Sequence, residues 1–108
     1  MKKLLLGMAV LAALFLAAGV VRAQDVANGE KVFKAKCVSC HGPDGKGDTA
    51  AGKATKTRDL SSDEVKKESD ATWADIITKG KNKMPPYDKK ISDAEVKDVI
   101  AYMRTLIK

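Results

Sequence analysis

Histidine occurs once in these 108 residues and cysteine twice, beside three prolines and five aromatic side chains. So few ligating and nucleophilic groups leave few ways to build a metal or catalytic centre. The length allows one domain and excludes a nucleotide-binding unit joined to a substrate domain, or a closed barrel. Only one long apolar run is present, which excludes a polytopic membrane protein. Beyond Ala23 there is no period-2 alternation, no internal repeat and no low-complexity tract. No basic helix with base-reading residues points to nucleic acid.

What is present begins with an export signature. Lys2 and Lys3 precede an uncharged run from Leu4 to Val21, and Val21-Arg22-Ala23 closes it with small or apolar residues at its first and third places. This is the layout of a secretory signal peptide over residues 1–23, cut after Ala23, and it predicts a periplasmic product. The alternative is an uncleaved anchor in the inner membrane, since 18 apolar residues approach the length of a span. No Cys follows the run, which argues against a lipid anchor. Removing 23 of 108 residues leaves 85, and the loss of Lys2, Lys3 and Arg22 without any acid lowers the net charge from +6 to +3. A domain of that size has a small core and needs a staple or a cofactor.

The mature chain, residues 24–108, reads as all-α with two functional loops. Asp25 caps a helix from about Val26 into Cys37, with Val26, Gly29, Phe33 and Cys37 on one face. Gly29 there costs about 1 kcal/mol against Ala, which close approach of another helix would justify. Gly42 to Thr57 reads as one long loop, Ser62 as the cap of a short helix over Asp63 to Lys67, and Ser69 or Asp70 as the start of a helix ended by Gly80. A second loop, Lys81 to Ile91, holds Met84-Pro85-Pro86-Tyr87. Ser92-Asp93-Ala94-Glu95 is a capping box, and Val96, Val99, Ile100, Met103 and Leu106 form the apolar stripe of a final helix.

The chemistry sits in Cys37-Val38-Ser39-Cys40-His41. Two thiols three residues apart, followed directly by an imidazole, match covalent attachment of haem c. Two vinyl groups on one porphyrin edge need thiols at a fixed separation, which a helical turn supplies, and His41 then lies under the ring to reach the iron. A disulfide oxidoreductase would need a βαβ context, and zinc would need four ligands. His41 being the only His, the second axial ligand falls to methionine. Met84, in a loop stiffened by Pro85 and Pro86, is favoured over Met103, which the apolar stripe already explains as core.

These motifs resemble a small class I cytochrome c, of the bacterial monohaem type near cytochromes c6, c551 and c553. The resemblance covers essentially residues 24–108: the haem motif, Gly42-Pro43-Asp44-Gly45 after it, Lys79-Gly80-Lys81-Asn82-Lys83-Met84-Pro85, and Ile100 to Leu106. It implies a cytochrome c fold of three to five helices around one haem, with Gly29 and Phe33 on the first helix packed against Tyr102 on the last. One departure is the stretch Thr55 to Leu60, which lacks the Pro whose carbonyl orients the haem His in many relatives.

A haem with both axial positions filled favours electron transfer over catalysis, so the expectation is a monomeric, exported electron carrier and no enzyme. The thioether and burial both raise the potential. A haem-based sensor with a displaceable Met and a membrane-tethered subunit are the alternatives. Phe33, Leu60, Trp73, Ile76, Ile77, Val99, Ile100 and Met103 are expected to wall the ring. Lys34, Lys36, Lys46, Lys79, Lys81 and Lys83 flank the haem-bearing segments and offer docking for acidic redox partners.

Overall fold

The computed structural model describes residues 24–108. The signal peptide expected over residues 1–23 lies outside them. Among the described residues six helical segments follow in order: α1 (Val26–Lys36), α2 (Val38–His41), α3 (Ala50–Thr55), α4 (Asp63–Lys66), α5 (Asp70–Lys79) and α6 (Asp93–Leu106). Three of them are only four to six residues long, which is how the count comes to exceed three to five.

Each longer helix starts where its cap predicts. The Asp25 side chain accepts from the Asn28 N–H, Ser69 from Thr72, and Ser92 from Glu95, with the reciprocal Glu95 contact completing the capping box. Gly80 ends α5 at φ 79°, a conformation that favours glycine.

The expected loop from Gly42 to Thr57 needs correction, because its second half is α3. The stretch is small and polar and shows no apolar period, so nothing in the pattern marks a helix. Thr49 makes it one: its hydroxyl oxygen accepts from the Gly52 N–H and donates to the Ser39 and Cys40 carbonyls. Gly52 lets α3 sit directly on the haem-motif turn, since a Cβ there would collide with the Cys40 and Gly47 carbonyl oxygens.

The core forms where α1 crosses α6. A Cβ on Gly29 would collide with the Asp98 carbonyl oxygen, which is the reason for glycine on that face. Beside it the Phe33 and Tyr102 rings tilt at 53° with centroids 5.4 Å apart. Val32, Val96, Val99, Ile100, Met103 and Ile107 complete the apolar contact. Asp98 is the one buried charged residue among those described; its carboxylate accepts from the Asp25 N–H at 2.8 Å and from the Asn28 amide at 2.9 Å, pinning the start of α1 onto α6. Arg104 does the same on the other flank. Its guanidinium stacks 3.7 Å from the Trp73 ring centroid and bonds Asp70 and the Lys66 and Glu68 carbonyls.

Candidate haem site

The α1 helix stops at Lys36, and Cys37, helical in backbone at φ −117° and ψ −29°, passes the chain into the single turn α2. That turn carries Val38, Ser39, Cys40 and His41. Gly42, at φ 77°, lets the chain leave at once, and the Gly47 N–H returns to the His41 carbonyl at 2.7 Å. The haem motif is therefore fixed from both sides, by the glycine turn and by α3 standing on Cys40.

Across the molecule, Lys81 and Met84 exchange backbone hydrogen bonds of 3.1 and 2.9 Å, closing a tight turn with Asn82 at φ 54°. Gly80 is required beneath it, since a Cβ there would lie 2.7 Å from the Met84 carbonyl oxygen. The Tyr87 and Asp88 N–H groups bond back to α5 at Ile77 and Thr78. The Tyr87 hydroxyl donates to the Lys36 carbonyl at 3.3 Å, and Lys83 reaches the Ala54 carbonyl at 3.5 Å. The methionine loop is thus tied to both rims of the space it faces.

That space is a cleft of about 1110 Å³, counting its open mouth. Cys37, Cys40, His41 and Met84 all line it, and so does Met103. Leu60, Trp73, Ile76 and Ile77 form apolar wall as expected, joined by Val65 and Ile91, which the sequence reading missed. Phe33, Val99 and Ile100 are buried in the core but are not among the lining residues, because the α1–α6 crossing takes them. Trp73 both lines the cleft and donates from its indole N–H to the Val65 carbonyl at 3.3 Å.

The ionisable groups fit a ligand of iron porphyrin type. The cysteines are free thiols, and burial pushes Cys37 up to about 11, so it is no thiolate nucleophile of the disulfide-exchange kind. Burial first, and then the Arg58 charge, hold the His41 pKa below the usual value, leaving a neutral imidazole. The His41 Nδ1 is buried without a hydrogen-bond partner among the described residues, so no carbonyl takes the place of the missing proline. Among the described residues no three His, Cys, Asp or Glu side chains converge as zinc would require. Two thiols, a nitrogen and a thioether around an apolar cleft match haem c.

The expected lysine set divides. Lys36, Lys81 and Lys83 line the cleft, joined by Lys56 and Arg58, and among the described residues no carboxylate does. Lys34 and Lys79 are paired on the surface with Glu30 and Asp75, and Lys46 is not among the lining residues.

Comparison with known proteins agrees with this geometry. The family described as cytochrome c oxidase, cbb3-type, subunit III matches residues 24–103. A cytochrome c6 from Bumilleriopsis filiformis is 33% identical over 79 residues, covering 73% of this chain and 88% of the relative. The chain belongs to the class I cytochrome c family. A cytochrome c6 from Picosynechococcus is 34% identical over 114 residues, covering 95% of this chain and 92% of the relative. The solved KustC0563 c-type cytochrome superposes with a TM-score of 0.68 at 30% identity, over 74% of this chain and 98% of that one. As a class I cytochrome c, the chain is a haem c protein and an electron carrier, not an enzyme. Its all-α fold is the cytochrome c fold.

Proposed function

We propose that Cys37 and Cys40 form the thioether links to one haem c, that His41 and Met84 are its axial ligands, and that the protein shuttles single electrons between redox proteins. The observation that carries this reading is that the four side chains, contributed by segments more than forty residues apart in sequence, line one apolar cleft. When bound, the haem supplies a one-electron iron(III)/iron(II) couple. The chain's residues do the rest. His41 offers a neutral nitrogen, and the closed Lys81–Met84 turn holds the thioether with little conformational entropy left to lose. The apolar wall excludes water and disfavours the more highly charged ferric state, as the soft sulfur also does. Met103 lines the cleft as well, yet it belongs to the α6 stripe and is 5% exposed within the core.

The partners are proteins with an acidic face around their own redox centre, received at the mouth lined by Lys36, Lys56, Lys81 and Lys83. The protein acts as a monomer in the periplasm after cleavage behind Ala23, and this reading draws on the charged start and apolar run of residues 1–23.

The test is the visible spectrum of the exported protein beside that of Met84→Ala. A haem c spectrum with a weak far-red sulfur–iron band in the parent, lost in the variant, is expected. A band that survives the substitution moves the ligand to Met103, and a colourless product of bare polypeptide mass refutes haem attachment.

A further inference from the structure

Among the described residues five cations line the cleft, and Arg58 differs from the rest. The four lysines are exposed, so water and salt screen them. The Arg58 side chain is 33% exposed, and its Nη1 and Nη2 donate to the two oxygens of Glu68 at 3.1 and 3.0 Å. Paired bonds of this kind fix the plane of the guanidinium as well as its place. Glu68 is held in turn, because Arg104 of α6 donates to its carbonyl at 2.6 Å. Arg58 lines the cleft and Glu68 does not, so the positive end of the pair is the one presented to the haem.

We infer that Arg58, aimed by Glu68, raises the reduction potential of the iron held in this cleft. The inference rests on the haem reading above. Reduction adds one electron from the donor protein and removes one positive charge from the cleft, with no proton taken up. The pair faces the cleft with its positive end, the Glu68 carboxylate standing behind and offsetting it only in part, and so opposes the more positive ferric state and leaves the ferrous one favoured. Glu68 is a positioning residue: without it the guanidinium would turn towards water and its influence would be screened.

The experiment is an optical redox titration of the haem-loaded parent, Arg58→Gln, Arg58→Lys and Lys56→Gln against one mediator, at low salt and at about 1 M salt. At a fixed mediator potential, Arg58→Gln is expected to move the ferrous-to-ferric ratio about five- to tenfold towards ferric, and the shift survives high salt. Lys56→Gln moves it less than about twofold and loses the effect in salt. Arg58→Lys, with the charge but not the paired bonds, falls between them. A ratio for Arg58→Gln equal to that of the parent, or a shift that matches Lys56→Gln and vanishes in salt, overturns the inference. Should Arg58→Gln not accumulate, a shift in Arg58→Lys no larger than that of Lys56→Gln overturns it equally. The far-red band is recorded throughout. Its presence with an unmoved ratio rejects only the role of Arg58, whereas its absence from the parent rejects the axial-ligand reading.

Discussion

Asp98 carries an ionisable carboxylate into the core, at 1% exposure, because both of its oxygens have donors at the start of α1. Such a group is costly to bury unless every partner is met, and removing an acceptor strands the donor. Asp98→Asn keeps the shape but offers one acceptor oxygen where two are used. It is expected to cost about 2 kcal/mol, read as a lower denaturation midpoint of the haem-loaded protein; a midpoint unchanged from the parent would show the carboxylate to be dispensable. Nothing in the sequence marks this residue, since an Asp between Val96 and Val99 reads as the polar side of an amphipathic helix. Gly29, by contrast, was legible. A glycine on an apolar helical face asks for a close neighbour, and the Asp98 carbonyl is that neighbour.

Among the elements, α3 shows best where pattern reading stops. The helices with capping residues and apolar periods, α1, α5 and α6, could be read from the chain alone. The α3 helix has a cap in Thr49 but no apolar stripe, and its support is tertiary: the hydroxyl on the Ser39 and Cys40 carbonyls, and Gly52 against the Cys40 carbonyl. Thr49→Val keeps the volume and removes all three hydroxyl contacts. The expected loss is about 1–2 kcal/mol, measured by thermal unfolding, with faster amide exchange at residues 50–55. Exchange that stays as slow as in the parent would place the support of α3 elsewhere. The candidate site was legible for a different reason. The spacing of Cys37, Cys40 and His41 and the singleness of the histidine restrict the chemistry before any fold is known, and the loop prolines are the reason for proposing Met84 over Met103. The pairing of Arg58 with Glu68 lies ten residues apart across a turn and the four-residue α4, and leaves no periodic trace.

At the scale of the molecule, the charges around the cleft are sorted. Among the described residues the lining lysines share the cleft with no carboxylate, while Lys34 and Lys79 have acidic neighbours one helical turn away. Docking onto an acidic redox protein should therefore depend on the first group and not on the second. Lys36→Gln with Lys81→Gln is expected to lower the second-order electron-transfer rate about tenfold at low salt, with the difference closing as ionic strength rises. Lys34→Gln with Lys79→Gln should stay within about twofold of the parent. Stopped-flow rates that fall equally for both pairs would mean that overall charge, and not the cleft mouth, directs the encounter.

The ties from Asp98 to Asp25 and from Arg104 to Lys66 and Glu68 also make the last helix the clasp of the fold. Cys37 and Cys40 lie about sixty residues ahead, along the chain, of the side chains that close the core over them. Until α6 arrives, the first helix has nothing to cross and the pocket has no back wall, so a macrocycle can be stitched to an open strand and then enveloped. A polypeptide cut short before Arg104 would lose the clasp on Lys66, Glu68 and Asp70 and leave its pigment on an unfinished thread.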